Sequence, residues 1–400
     1  MHLVHVVQRY PPAHGGSEAY FARLSRWLVA RGHHVHVATT TARDLTAFWD
    51  RRAATVPAGI AVEDGVTVER HPIWRVPLQR WLLRALSLVP IPAWQGWVVS
   101  CNPLSWSLRR WALTEDGPLD VVHATAFPYA WPLRSALLLA RRRKVPFALT
   151  PFLHLGDLDD PANRVRRSFT KPAFLAIAGQ ADVIFVQTPQ ERDAFRALGV
   201  ADERLVLQGL GVDAAECTGG DRAGWRARHG FAPNDVVVGH LANLSAEKGS
   251  NDLVQAADGL PVKLALAGPA MPNFRTAVGV RVLGELSHSE KRDFFAGIDL
   301  FALPSVVDSF GLVLLEAMAN GVPCVGYNAG GIPGVIADGV EGLVVPCRVA
   351  ALREALRRLA SDANFRRRLG DAGRAKAAAS GWDDKLRIVE DTLIALKSPP

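Results

Sequence analysis

The chain has 400 residues, 49% hydrophobic and 21% charged, which excludes a disordered or fibrous protein and suits two or three domains, or one fold of two lobes. Its four cysteines, Cys101, Cys217, Cys324 and Cys347, form no CxxC pair; this excludes a zinc knuckle and a disulfide framework and fits a reducing, cytoplasmic setting. A net charge of +7 is compatible with nucleic acid, an anionic membrane surface or phosphorylated ligands, so the placement of the cations has to decide among them.

In chain order, His2–Val7 predicts a buried strand, broken by Arg9 and two prolines too early for a secretory signal. Gly15-Gly16-Ser17 then opens a helix predicted over Ser17–Arg31, with Leu24 and Leu28 on one face and Gly32 as the stop. Glycines at that place either make a tight turn or let backbone approach a ligand closely; the pattern is neither G-x-G-x-x-G nor a P-loop. After a strand at Val35–Thr40, residues 71–114 hold no acid but carry Trp74, Trp81, Trp94, Trp97, Trp106 and Trp111 with Arg75, Arg80, Arg84, Arg109 and Arg110. Such a segment suits a membrane interface, and also a core or an apolar ligand pocket. Strands follow at Val121–His123, Phe147–Thr150 and Val183–Val186, and the basic run Arg141–Lys144 adds a further candidate contact for an anionic surface. His154 lies just past a strand end, where it can face a cleft, and His123 is a weaker candidate of the same kind. Asp157-Leu158-Asp159 spells a DxD, a pattern that elsewhere holds metal; here it reads as a polar loop.

Glycines and small residues over Gly209–Gly220 suit a hinge. Beyond it, Val236–Gly239, Val262–Gly268, Val280–Leu283, Ile298–Leu303, Cys324–Tyr327 and Leu343–Val345 predict strands separated by helices. This alternation predicts an α/β protein of two Rossmann-like lobes, with parallel sheets whose carboxyl ends face an interdomain cleft. The expected division is 1–212, 213–380 and a final segment 381–400, whose helix around Trp382–Leu396 would cross back to the first lobe. No apolar stretch reaches eighteen residues, so no transmembrane helix is expected.

The most informative stretch is Asp308-Ser309-Phe310-Gly311 with Glu316. It predicts one carboxylate in a strand-to-helix loop and a second about one turn into a helix running from about Gly311 to Asn320. Between them lie the unpaired N–H groups of a helix start, an anion site. Carboxylates accept hydrogen bonds from hydroxyls, so the pair suits a ligand with many hydroxyls and a phosphate, such as a nucleotide sugar. Lys248, at a strand-to-helix turn, can neutralise a diphosphate, and Gly330-Gly331 permits a tight loop at the same rim. Two carboxylates would also suit a glycoside hydrolase, but a lysine and a helix start point to phosphate.

Together these residues resemble the retaining GT-B glycosyltransferases of family GT4. The resemblance runs from Tyr10-Pro11-Pro12, Gly15-Gly16-Ser17-Glu18 and Arg31-Gly32-His33, through Asp182–Phe185, Gly211-Val212-Asp213 and Glu247-Lys248-Gly249, to Leu303-Pro304-Ser305, Phe310-Gly311, Glu316–Pro323 and Gly330-Gly331. It implies that Glu316 binds the ribose, Asp308 a donor-sugar hydroxyl, and the amides of Phe310, Gly311 and Leu312 the sugar and diphosphate. Lys248 would stabilise the leaving diphosphate, Gly15 and Gly16 would close over the phosphates, His154 would lie by the transferred sugar, and Glu285 and Leu286 would hold the base. Two positions depart from the pattern: Asp308 stands where the family usually has Glu, and Asn243 where it often has an arginine.

The expected activity is retaining transfer of a hexose from a nucleotide-diphosphate sugar to a lipid-linked or polysaccharide-precursor acceptor. No cofactor or metal is required, no nucleic acid is expected, and an anionic membrane surface at the inner face of the cell membrane is a candidate partner. The alternatives are a catalytically weak sugar-nucleotide-binding subunit, which the neutral Asn243 would suit, and a nucleotide-sugar epimerase of similar fold.

Overall fold

In the computed structural model, which describes residues 1–397, the apolar runs form two sheets. The first contains β1 (His2–Val6), β2 (His34–Thr40), β3 (Gly59–Glu63), β4 (Val66–His71), β5 (Val121–Ala124), β6 (Phe147–Leu149), β7 (Val183–Val186) and β8 (Leu205–Leu207). Their order is β3-β4-β2-β1-β5-β6-β7-β8. The second contains β9 (Val237–Leu241), β10 (Lys263–Ala267), β11 (Arg281–Gly284), β12 (Leu300–Leu303), β13 (Cys324–Tyr327) and β14 (Gly342–Val345), in the order β11-β10-β9-β12-β13-β14. Every pairing is parallel except β3 with β4. β1 pairs with β2 from His2 opposite His34 and with β5 from Leu3 opposite Val121. The central strands read as uninterrupted apolar runs because helices cover both of their faces. Val183–Val186, Leu300–Leu303 and Cys324–Tyr327 are buried throughout.

Three strands were not anticipated. β3 and β4 form a hairpin around Asp64 and Gly65, both at positive φ (51° and 77°). Ile-Ala-Val-Glu, Asp-Gly, Val-Thr-Val-Glu is a type I′ hairpin signal, and the sequence carries it in full. β8 is only three residues long and gives no periodicity to read. The helix after β1 spans Gly16–Ala30, one residue earlier than expected at each end.

The final helix, Trp382–Lys397, packs against the first sheet's side of the molecule; residues 398–400 of the expected last segment lie outside the described residues. Its buried Glu390 accepts Arg31 Nε at 2.8 and 2.7 Å and lies 2.7 Å from His33 Nε2. Burial pushes the Glu390 carboxyl up, but those two partners outweigh it and hold the group below its ordinary value. Trp27 Nε1 donates to Asp383 at 3.0 Å, and Val212 bridges Gly381 in parallel. Arg31-Gly32-His33 therefore acts as a clamp on the last helix. Among the described residues no helix is long and apolar enough to cross a membrane.

Candidate active site

The carboxyl ends of β1, β5 and β6 carry the loops of the first lobe's rim, and those of β9, β11, β12 and β13 carry the second lobe's. Asp308 lies between β12 and the helix Leu312–Ala319, and Glu316 sits one turn into that helix. Both side chains are largely covered, and each already has one ion pair. Lys248 Nζ lies 2.9 Å from Asp308 Oδ1, and Lys291 Nζ lies 2.6 Å from Glu316 Oε1. In both carboxylates the second oxygen, Asp308 Oδ2 and Glu316 Oε2, is buried without a partner. A buried acceptor left unpaired costs about 1–3 kcal/mol, and both oxygens are free to accept a hydrogen bond.

The two carboxylates are shifted in opposite directions. Burial pushes Asp308 up, but the Lys248 ammonium, with the Ser305 hydroxyl, overrides it and holds the group below the usual aspartate value. At Glu316 burial prevails over Lys291, and the carboxyl sits above its usual value. The N–H groups of Phe310, Gly311 and Leu312 precede the first helical hydrogen bond, Leu314 N to Gly311 O at 2.9 Å, so they point out of the helix start. Phe310 is buried, anchoring the loop in the core.

His154 reaches this cluster from the other lobe. Burial lowers its pKa to about 4; Lys248 adds to that, while Asp308 and the Val307 carbonyl oppose it. The ring is thus neutral at pH 7 and close to Lys248 and Asp308, although they lie on different sheets. Its Nδ1 is buried and unpartnered, and its ring packs edge-on to Phe169 at 4.6 Å between centroids. Immediately beyond it the lobes touch. Leu158 N donates to Asn328 O at 3.0 Å, Gly330 N to Gly156 O at 2.8 Å, and Asn328 Nδ2 to Asp159 at 2.9 Å. Asp157 and Ala329 form an antiparallel bridge. The DxD is therefore part of an interlobe clasp. Among the described residues no group of three or more His, Cys, Asp or Glu side chains is placed to hold a metal ion.

Gly330-Gly331 supports the site from behind: Gly331 N donates to Asp308 O at 2.9 Å. Lys248 is held by the turn before the helix Ser250–Ala257, whose cap, Gly249, has φ 71° and passes hard against the Pro304 carbonyl, leaving no space for a side chain. Gly15 and Gly16 lie exposed at the start of the first helix, over the buried pair Arg9–Glu18 at 2.6 Å. Asn243 is exposed on the loop after β9. Glu285 is exposed and Leu286 half-buried on the loop that follows β11 and leads into the helix His288–Gly297, which bears Lys291. His123 is not at the site. It is buried between His5, Phe21 and Phe185, with Nε2 2.8 Å from Thr150 Oγ1. Lys291 escaped the sequence reading because its partner is 25 residues away on another helix.

The tryptophan-rich segment divides. Trp111 is in the core, and Trp97 packs on a small cluster with Leu83, Val98, Leu104 and Trp131. By contrast Trp81 (69% exposed) and Trp94 lie open on the short helices Gln79–Leu86 and Pro92–Gln95, as do Leu88 (80%) and Ile91 on the link between them, with Trp74 and Trp106 also exposed. The basic run Arg141–Lys144 is mostly occupied elsewhere. Arg141 donates to Gln180 O, Arg142 to Ala112 and Glu115 carbonyls, and Arg143 to Glu115 and Gly117 carbonyls, so these arginines tie down loops rather than face a surface ligand.

Comparison with known proteins agrees with this geometry. The family described as Glycosyl transferases group 1 matches residues 221–376, and that described as Glycosyl transferase 4-like domain matches residues 15–211. A D-inositol 3-phosphate glycosyltransferase of Actinosynnema mirum is 32% identical over 72% of this chain and 74% of its own length. One from Frankia alni is 29% identical over 94% and 93%. Among solved structures, sucrose-phosphate synthase from Thermosynechococcus elongatus superposes with a TM-score of 0.74 at 19% identity, covering 99% of both chains. Anabaena HepE, in complex with UDP and glucose, gives 0.71 at 18% identity, covering 99% of this chain and 100% of the other. These two likenesses establish the two-lobed fold.

Proposed function

The chain belongs to the glycosyl transferases group 1, family GT4, with the GT-B fold, and from that premise we propose that it transfers a hexose, with retention, from a nucleoside diphosphate to a phosphorylated, lipid-linked acceptor that serves as a glycolipid or polysaccharide precursor. The observation that carries this reading is that His154, from the first lobe, stands beside Lys248 and Asp308, and that His154 Nδ1, Asp308 Oδ2 and, one turn into the helix that follows, Glu316 Oε2 are all buried without partners. With Lys248 and a helix start they offer hydrogen-bonding groups and positive charge, which suits a sugar diphosphate.

In this reading Glu316 Oε2 accepts from the ribose and Asp308 Oδ2 from a donor-sugar hydroxyl. Lys248 and the amides of Phe310, Gly311 and Leu312 take the charge that develops on the leaving diphosphate. Neutral His154 hydrogen-bonds the transferred sugar without adding a charge. The acceptor hydroxyl attacks the face from which the diphosphate departs, and a diphosphate oxygen takes its proton. The protein contributes position and electrostatics rather than a strong base. The exposed Gly15-Gly16 turn closes over the phosphates and keeps water out.

Two features favour a phosphorylated, lipid-linked acceptor. Arg164, Arg166, Arg167 and Lys171 belong to the helix Arg164–Phe169 and the turn after it, the element whose Phe169 packs on His154. Among the described residues their side chains make no hydrogen bond or ion pair, which leaves them available for phosphate. The open Trp81, Leu88, Ile91 and Trp94, in a segment without acids whose helix Pro92–Gln95 packs on the helix Pro172–Ala178 next to Lys171, form an apolar apron suited to an anionic membrane face. The relatives named above are glycosyltransferases of an inositol phosphate, which also points to a phosphorylated acceptor.

UDP-glucose is the first donor to test, because solved structures of similar fold contain it. With a membrane lipid extract as acceptor, Glu316→Ala is expected to abolish transfer from UDP-, GDP- or ADP-hexoses while leaving the thermal midpoint near wild type. Near-normal turnover in that variant overturns the reading. Wild type that binds donor yet transfers nothing to any acceptor would favour the binding-subunit alternative, for which the exposed, neutral Asn243 is the supporting observation.

A further inference from the structure

Lys291 has no place in the site as the sequence presents it, yet its geometry is specific. It lies in the second turn of the helix His288–Gly297, whose start is fixed by a full capping box between Ser287 and Glu290. Its ammonium lies 2.6 Å from Glu316 Oε1, while Glu316 Oε2 stays buried and unpaired. The two helices therefore divide the carboxylate. One oxygen is committed to protein and the other is turned to the site. A carboxylate without such a partner is free to rotate and, in a buried setting, to take a proton. A protonated carboxyl loses the charge-assisted acceptance that holds a hydroxyl tightly.

We propose that Lys291 is a positioning residue for donor recognition: it holds one oxygen of Glu316, so that the free oxygen is turned to read the ribose hydroxyls of the nucleotide. This rests on the assignment of Glu316 to the ribose. The other groups facing Glu316 do not supply the same service. Cys217, on the neighbouring helix Ala214–Cys217, donates its thiol to the Asp213 carbonyl at 3.3 Å. Glu216 carries a like charge and is itself bound to Arg23 at 2.6 Å. His288, at the start of the lysine's own helix, lowers the Glu316 pKa less than Lys291 does. Removing the lysine thus leaves a buried carboxylate without its nearest counter-charge. An opposite charge at such range is worth roughly 1–3 pKa units.

The test needs no acceptor. UDP, GDP and ADP are titrated calorimetrically against wild type from pH 5 to 8, and the tightest of the three is compared with its 2′-deoxy counterpart. Lys291→Met, or Lys291→Gln if the first variant is poorly folded, is expected to weaken binding at least about tenfold at pH 6 and to move the acid limb up by about one unit or more. It should also lose most of the preference for ribose over 2′-deoxyribose. Lys291→Arg is expected to restore all three. If Lys291→Met or Lys291→Gln binds with wild-type affinity and pH dependence, while Glu316→Ala does not bind, Lys291 has no positioning role and the assignment of Glu316 stands. If Glu316→Ala binds as wild type, the assignment itself falls, and the inference with it.

Discussion

Gly331 is a test of how tightly the Asp308 loop is held. Its backbone is right-handed, at φ −91° and ψ −3°, so alanine meets no conformational penalty there. The obstacle is steric. A Cβ built on Gly331 would stand 2.5 Å from the Ser309 carbonyl carbon and 2.9 Å from Phe310 N, with the Ser309 oxygen closer still. These are backbone atoms and cannot swing aside as a flexible side chain would. Ordinary contact begins at 3.4 Å, so the loop 308–310 must retreat by about 1 Å. That movement breaks Gly331 N to Asp308 O, now 2.9 Å, and carries Asp308 and the amides of Phe310 and Gly311 away from the donor. A misplacement of about 1 Å can cost about 100-fold in rate, or about 2.7 kcal/mol of transition-state stabilisation. Gly331→Ala is therefore expected to lower kcat/KM for the donor about 100-fold, with a thermal midpoint within a few degrees of wild type. Donor hydrolysis in the absence of acceptor is a sufficient assay. Gly381, where a Cβ meets nothing within 4 Å, is the control, and Gly381→Ala should be active. Wild-type kinetics for Gly331→Ala would refute the claim that the close approach of these loops sets the geometry.

Acid should destabilise the fold in a defined window. Burial lowers His5 to about 3 and His154 and His240 to about 4, whereas the unfolded value is about 6.5. The unfolded chain thus binds more protons, and stability that is complete above pH 6.5 is lost as pH falls toward the folded values. Glu191 works the other way, because burial raises its carboxyl to about 7 and the fold then gains stability as pH falls below that. His71 is likewise lowered to about 4 and His123 well below its ordinary value, so the buried histidines outnumber Glu191 and the fold loses stability from pH 7 to pH 5. Urea midpoints at the two pH values check this, and equal midpoints contradict it. On the apron, Trp81→Ser with Trp94→Ser is expected to reduce co-sedimentation with anionic vesicles several-fold in low salt while leaving donor hydrolysis unchanged; undiminished binding removes the membrane role.

Much of the donor side was legible because it is local. Asp308, Phe310, Gly311 and Glu316 fall within nine residues, and the strand, turn and helix that order them each leave a short-range signal. The same is true of Gly249 and Lys248. Partners separated in sequence were not legible. Lys291 and Glu316 meet because two helices pack side by side, and no pattern in either helix indicates the other. The DxD shows the opposite error. Two acids one residue apart suggest a metal pattern, yet Asp157 and Asp159 serve a clasp whose other half is 170 residues away. The arginines of Arg141–Lys144 mislead in the same manner, because a cation's availability depends on the carbonyls folded around it.

Arg31-Gly32-His33 shows what such a motif means physically. It lies at the end of the first helix, far in sequence from the donor loop, and within its own segment it looks like a helix stop with two solvated polar side chains. The fold brings Glu390 to it from the last helix, buried and held by both side chains. The link from residue 212 to residue 381 is short in space, since Val212 N donates to Ser380 O at 2.8 Å. The chain therefore passes between the lobes twice at nearly the same place. The lobes also meet at the clasp of 156–159 with 328–330, beside His154, and where Gly334 lies against Thr188 and Gln190. The lobes are thus tied by Val212 N to Ser380 O at the crossing and by Leu158 N to Asn328 O and Gly330 N to Gly156 O at the clasp, all hydrogen bonds of ordinary length between residues that no local pattern relates.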